Sequence, residues 1–214
     1  AHDLLSRLVR LLAGSPLAIQ FAAQSLRVLQ PRELVHRLEK GDWPDSSLHM
    51  PGYRYSTLQD VMDDTWAQLA PGLREAWARC ALFKGSFALD WAHDCAGTND
   101  NQIMLLVERS ILSRDAPGRL FMHAMARQYG LMMLDTLPDA GDHRQVFAHA
   151  ALARLVAACA QLNRGPQAAA VLETLHREIA TVASAFEMAL HWASPDEIQP
   201  PLLALQNVYH RLGW

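Results

Sequence analysis

The sequence predicts a mainly α-helical fold with one small β-hairpin, and three observations support this. Apolar residues recur at helical spacing over most of the chain, beginning with residues 4–12. Glycine and proline interrupt that periodicity at residues 14–16 and 165–166, where helices are expected to end. A single stretch, residues 111–122, holds two short β-prone runs with a turn composition between them.

The composition is that of a globular chain with a sizeable core. Half of the 214 residues are hydrophobic, 19% are charged, and the formal net charge is −3. A chain of this length suits two or three small domains. A free-standing nucleic-acid-binding domain usually has a basic surplus. Contact with nucleic acid through this chain is therefore not expected.

Cysteine use and hydropathy predict a cytoplasmic protein that does not enter a membrane. Cys80, Cys95 and Cys159 are few, odd in number and without CxxC spacing, which disfavours a disulfide framework or a zinc site. We expect them to be small, buried hydrophobic residues in a reducing compartment. No run approaches the roughly 20 apolar residues that a membrane span needs.

Residues 1–50 are predicted to form a bundle of short helices. Pro16 lies at the start of the second helix, where proline is well tolerated, and residues 17–29 continue that helix. Pro31 opens a third helix. Residues 41–55 are rich in proline, glycine, aspartate and serine, so a linker is expected there.

Residues 51–138 are predicted to form a winged-helix domain, because several helices precede the hairpin and another follows it. Asn99 or Asp100 is expected to cap the helix before the hairpin. The hairpin turn is assigned to residues 115–118. The run 83–87 is interpreted as a tight turn with an aromatic residue on each side.

Residues 139–214 are predicted to begin a tetratricopeptide-like arm of antiparallel helices. A helix is expected from about His143 to Leu162, followed by a long helix with apolar residues at alternating spacings of three and four. Ser194 is expected to cap one more helix. Antiparallel helices with short turns are typical of helical repeats, although the sequence contains no clean repeat.

Four blocks of sequence resemble, in order, parts of one family of regulatory ATPases. They are residues 14–19 (GSPLAI), residues 57–87 ending in LFKGSF, residues 106–129 ending in RLFMHAMARQY, and residues 178–186. This pattern resembles the signal-transduction ATPases with numerous domains (STAND, including the NB-ARC-like group), most of all their bacterial transcriptional regulators. The resemblance implies a helical lid over residues 1–50, then the winged-helix domain and the beginning of the arm.

The resemblance also implies three nucleotide-contacting residues. Gly14 and Pro16 match the GxP turn of the family, which packs against the base and sugar. His123 matches the histidine that contacts the diphosphate of ADP and holds the winged-helix domain closed. From the residues alone, the GxP tripeptide also fits a plain helix start, and His123 a capping or half-buried histidine. Arg127, one turn further, is expected to be a solvated surface residue, with phosphate contact or pairing to an acidic neighbour as alternatives.

The chain lacks the motifs of an ATPase. It has no GxxxxGK loop followed by Ser or Thr and no acidic Walker B strand, and its only lysines are Lys40 and Lys84. No nucleophile–base pair stands out, so no catalytic residue is predicted. The histidines are scattered, and His143 and His149 lie on different helix faces, so no metal site is predicted either.

These expectations favour the regulatory module of a nucleotide-gated switch. ADP or ATP would bind only together with an NTPase domain upstream in the same chain, and not tightly to this chain alone. Further expected partners are an inducer or protein on the helical arm and, on activation, other copies of the chain. A DNA-binding winged-helix transcription factor and an interaction scaffold built on the arm are the alternatives. Residues 51–137 carry eight basic and ten acidic side chains, which disfavours DNA binding.

Overall fold

A computed structural model describes most of the chain, and it is mainly helical. The described residues are 2–12, 19, 22–23, 25–26, 29–39, 58–162 and 168–213. Within them the helices are α1 (His2–Leu11), α2 (Pro31–Glu39), α3 (Leu58–Ala67), α4 (Pro71–Cys80), α5 (Leu89–Ala96), α6 (Asp100–Glu108), α7 (Ala124–Leu134), α8 (Ala140–Gln161), α9 (Ala168–Ala189) and α10 (Pro195–Leu212). The strands are β1 (Ser86–Ala88), β2 (Leu112–Ala116) and β3 (Arg119–Met122). The expectation of a mainly α fold is thereby confirmed.

Local side-chain chemistry explains where several helices begin. Asn99 caps α6, because its side chain accepts from the backbone N–H of Gln102 at 2.9 Å while the Gln102 side chain accepts from the N–H of Asn99 at 3.1 Å. Of the two predicted caps, Asn99 is therefore the one used. Ser194 precedes α10, and Glu197 accepts from its N–H and its hydroxyl, both at 2.8 Å. Pro71 opens α4, where the missing N–H has no intrahelical partner to lose.

The three strands form one antiparallel sheet in the order β1–β3–β2. Phe121 of β3 lies opposite Ser86 on one side and Ser113 on the other. The sequence predicts only the hairpin β2–β3 and treats residues 83–87 as a turn, so the prediction missed one strand. β1 is three residues long with one buried side chain, Phe87, and so short a strand has no readable alternation.

The hairpin turn is located where the sequence predicts it. Gly118 has a positive φ of 72°, which favours glycine at that position. The register shifts between Arg114 and Ala116, so the hairpin contains a bulge next to its turn. The carbonyl of Gly118 accepts from the N–H of Leu89 at 3.0 Å, which ties the turn to the first residue of α5.

One continuous core joins the sheet to the helices that follow it. Phe83 stacks on Phe87 with ring centroids 4.1 Å apart, and Phe147 of α8 meets Phe83 edge-on at 4.9 Å. The buried cluster extends from Leu8 to Val208. Residues on both sides of the predicted boundary at 138–139 therefore share buried contacts.

Helices α8 and α9 pack against each other and against the preceding segment. Helix α8 contacts α5, and α9 contacts β1. Arg154 of α8 pairs with Asp90 and Asp94 of α5, and its guanidinium lies 4.9 Å from the ring centroid of Trp91. The boundary predicted at residues 50–51 lies outside the described residues. None of the described helices combines the length and hydropathy required to cross a membrane.

Candidate functional site

His123 occupies the junction between β3 and α7. It is the N-cap residue of α7, and its Nδ1 accepts from the backbone N–H of Met125 at 3.4 Å. Its side chain is buried, with 8% of the residue exposed. The capping role that the residues alone allowed for His123 is therefore present in the structure.

The other ring nitrogen of His123 contacts the end of α1. Its Nε2 lies 3.0 Å from the carbonyl oxygen of Leu11, the last residue of that helix. Because Nδ1 accepts a hydrogen bond, the proton of the neutral ring is on Nε2, which donates to this carbonyl. The final carbonyls of a helix have no intrahelical donor and need such partners. His123 therefore bridges the N-terminus of α7 and the C-terminus of α1.

The first two turns of α7 are held firmly around this junction. The indole Nε1 of Trp77 donates to the carbonyl of Ala126 at 2.9 Å. Arg127 donates from Nε to the carbonyl of Phe83 at 2.7 Å. The Tyr129 hydroxyl donates to Asp63 at 2.6 Å, and its ring lies 5.3 Å from that of Trp77. These contacts fix the helix whose first residue follows His123.

The expectation that Arg127 is a solvated surface residue is wrong. Its side chain is half-buried, and burial lowers the pKa of the guanidinium. The cause is tertiary, because the carbonyl of Phe83 lies 44 residues away in sequence and needs a donor inside the protein. Arg127 joins α7 to the loop before β1.

The two other predicted site residues, Gly14 and Pro16, lie outside the described residues. Leu11 is three residues before Gly14 and five before Pro16. A chain of three residues spans at most about 11 Å and one of five at most about 18 Å. The described contact therefore places His123 beside the helix that leads into the GxP tripeptide.

A buried ion pair between α9 and β3 was not anticipated from the sequence. Arg119 Nη1 lies 2.7 Å from Glu178 Oε1, and the Glu178 side chain has no exposed surface. Burial raises the pKa of the Glu178 carboxyl, while Arg119 lowers it. One sequence signal was available: Glu178 shares an apolar stripe of α9 with Leu175 and Val182.

The last three helices and the turn between α9 and α10 line an open cavity of about 410 Å³. His149 and Trp192 lie in its wall with ring centroids 4.3 Å apart, and Ile198 and Pro201 of α10 contribute apolar surface. Asp196 lies at its edge and is exposed. The lining of this cavity is mainly apolar.

The part of the chain that the structure describes contains no set of side chains that could bind a metal ion. No group of three or more His, Cys, Asp or Glu side chains converges there. All three cysteines are free and buried, as the sequence predicts. Burial raises the pKa of Cys80 and of Cys95 to about 12, which makes these thiols poor ligands and poor nucleophiles.

Comparisons with protein-family models, with curated proteins and with solved structures find no match for this chain. The resemblance to STAND regulators therefore rests on this chain's own residues and on their order.

Proposed function

We propose that this chain is the regulatory module of a nucleotide-gated STAND ATPase switch that acts in signal transduction or transcription regulation. The observation that carries the proposal is the hydrogen bond between His123 Nε2 and the carbonyl of Leu11. The family resemblance implies that the GxP turn and His123 contact the same nucleotide. Leu11, which contacts His123, is the last residue of the helix that precedes that turn. This contact joins two segments separated by more than 100 residues, and it supports the proposal.

The element order is also compatible with the domains that the resemblance implies. Helix α4, strand β1, helices α5 and α6 and the hairpin β2–β3 supply the helices and wing of a winged-helix domain. The antiparallel helices α8, α9 and α10 would be the beginning of the helical arm. The contact of α8 with α5 and of α9 with β1 supplies a physical connection between the two.

The chain's own residues fit one side of an ADP site. The Nε2 proton of His123 is donated to the carbonyl of Leu11 in this structure, so a phosphate oxygen of ADP would have to replace that carbonyl as the acceptor. The adjacent N-terminus of α7 has a positive dipole end that favours an anion. ADP would supply the phosphate oxygens, and an upstream NTPase domain would hold the remaining charge with its phosphate-binding loop. A neutral His123 suffices as donor, and a protonated one would strengthen the hydrogen bond.

The proposed switch is a shift between two populations. ADP would favour the closed arrangement, because it contacts the NTPase domain, the GxP turn and His123 at once. Exchange for ATP, or an inducer in the cavity near Trp192, would favour an open arrangement that assembles with other copies. Such a shift requires each ligand to bind the two arrangements with different affinity.

The test of this proposal uses the longer protein that contains residues 1–214. We expect its reading frame to encode a GxxxxGK loop upstream of Ala1, and ADP to be retained after purification. His123→Ala should accelerate ADP release by about ten- to a hundred-fold, the loss of one hydrogen bond to a charged group. His191→Ala is the matched control, because His191 is exposed in the turn after α9. Absence of the loop, or equal release rates in both variants, would overturn the proposal.

The surface of α6 argues against the DNA-binding alternative. In a DNA-binding winged helix the helix before the wing commonly enters the major groove. Helix α6 contains no lysine or arginine, and its exposed side chains include Asp100 and Glu108. Carboxylates on that face repel the phosphate backbone. An electrophoretic mobility shift assay with mixed-sequence duplex DNA should therefore give no retarded band at physiological salt.

A further inference from the structure

Glu178 is buried completely where α9 packs against the sheet. Its Oε1 lies 2.7 Å from Arg119 Nη1 and accepts from the backbone N–H of Ala88 at 3.2 Å. The second carboxylate oxygen, Oε2, is also buried and accepts no hydrogen bond from any described residue. A carboxylate with one satisfied oxygen is an expensive group to bury, so its retention calls for an explanation beyond packing.

Arg119 distributes its donors between the sheet and the helix. Its Nε donates to the Ser86 hydroxyl at 3.0 Å and its Nη2 to the Ser86 carbonyl at 2.6 Å, while Nη1 faces Glu178. Its side chain is 11% exposed. One guanidinium thus joins β3, β1 and α9, and it does so next to the turn of the hairpin.

A second polar contact lies one turn further along α9. The backbone N–H of Lys84 donates to the Thr181 hydroxyl at 3.3 Å, and Thr181 is fully buried. Helix α9 therefore contacts residues 84–88 through hydrogen bonds as well as through apolar packing. Lys84 also pairs with Glu187 at 3.3 Å, but that pair is exposed and contributes little.

A buried ion pair adds little net stability, because the cost of removing both charges from water offsets their attraction. Replacing both partners with apolar residues of similar volume is often tolerated, whereas removing one partner leaves an uncompensated charge. Among the described charges, Arg119 and Asp90 act on the Glu178 carboxyl, and Asp90 is paired with Arg154. If α9 moved away, Arg119 would lose its counter-charge, and the hairpin that carries it would have to rearrange.

We propose that Glu178 and Arg119 form a latch that couples the position of α9 to the conformation of the hairpin β2–β3. Displacement of α9 and loosening of the hairpin then occur together, as one event. Under the proposed function, the latch is the element that transmits the effect of an inducer bound to the arm to the winged-helix domain. The coupling itself belongs to this chain and needs no nucleotide, so it can be tested separately.

The test compares amide hydrogen exchange in the intact chain and in the double variant Arg119→Met with Glu178→Met, which removes both charges and keeps the volume. We expect the double variant to fold and to unfold cooperatively. Exchange in α9 and in β2, a strand that contains neither residue, should accelerate together by about ten-fold or more, while α4 and α7 stay unchanged. The single variant Glu178→Gln keeps the hydrogen bonds of Arg119 to Ser86 but leaves the Arg119 charge without its counter-charge, so exchange in α9 and in β2 should accelerate at least as much.

The matched control is Lys84→Met with Glu187→Met, which removes the exposed pair between α9 and the loop before β1. It should leave exchange in β2 at the level of the unmodified chain. The latch is refuted if β2 keeps its protection in the double variant, or if the control loosens β2 as much. Loss of ADP binding in the longer protein would not affect either outcome.

Discussion

A β-carbon added to Gly130 would lie 3.0 Å from Nε1 of Trp77 and 2.8 Å from the β-carbon of Ala81. At Gly130, α7 therefore lies in close contact with Trp77 of α4 and with Ala81, the residue after α4. The neighbours are the side chains of a fully buried tryptophan and a fully buried alanine, neither of which has room to move.

Gly130→Ala is expected to destabilise the fold despite its better helix propensity. Overpacking a filled core costs about 1–3 kcal/mol, which exceeds the roughly 1 kcal/mol that alanine contributes in a helix. Denaturant unfolding measures the difference. Gly141→Ala is the control, because Gly141 lies in α8 with no atom within 4 Å of its added carbon. An unchanged or raised stability of Gly130→Ala would contradict the described packing.

Two substitutions at His123 separate its two roles in this chain. His123→Asn keeps a good N-cap for α7 but is too short to reproduce the contact with Leu11, whereas His123→Ala removes both. We expect His123→Ala to lower the free energy of unfolding by about 1 kcal/mol or more and His123→Asn by less. Amide exchange at the end of α1 should increase in both variants. Protection of α1 that equals that of the unmodified chain would show that the contact contributes nothing.

The raised pKa of Tyr129 predicts a loss of stability at alkaline pH. Burial, with the hydrogen bond to Asp63, raises the pKa of Tyr129 above its ordinary value of 10.0. A raised pKa in the folded state means that this group's contribution is complete below about pH 10 and declines as pH rises further. The ultraviolet absorbance of tyrosinate should show one of the four tyrosines ionising only with unfolding.

Tyr129→Phe is the variant that checks this assignment. It should remove the late-ionising tyrosine and cost about 1 kcal/mol at neutral pH, the contribution of one hydrogen bond to a partly exposed partner. If the late ionisation persisted in Tyr129→Phe, another tyrosine would be responsible.

The buried cysteines predict a folded protein that resists thiol reagents. With a pKa of about 12, Cys80 and Cys95 are thiolates in roughly one molecule in ten thousand at pH 8. Burial also raises the pKa of Cys159. A chromogenic disulfide reagent should therefore react slowly with the native chain and quickly with all three thiols in denaturant. Fast reaction of the native chain would show that these thiols are accessible.

Local chemistry made several elements predictable from the sequence. The capping residues Asn99 and Ser194 and the Pro117–Gly118 turn all act on backbone groups within a few residues. Their effects depend on short-range hydrogen bonds and on allowed dihedral angles, which the sequence specifies directly. The same applies to the apolar stripes that predicted the helices and the burial of the cysteines.

The side-chain contacts that form the candidate site depend on the folding of the whole chain. His123 meets Leu11 across 112 residues, and Arg119 meets Glu178 across 59. Strand β1 is recognisable only because it pairs with β3, and Arg127 is buried only because the carbonyl of Phe83 approaches it. Distant partners are chosen by packing and by the need to satisfy buried polar groups, and no periodicity in a local stretch of sequence encodes that choice.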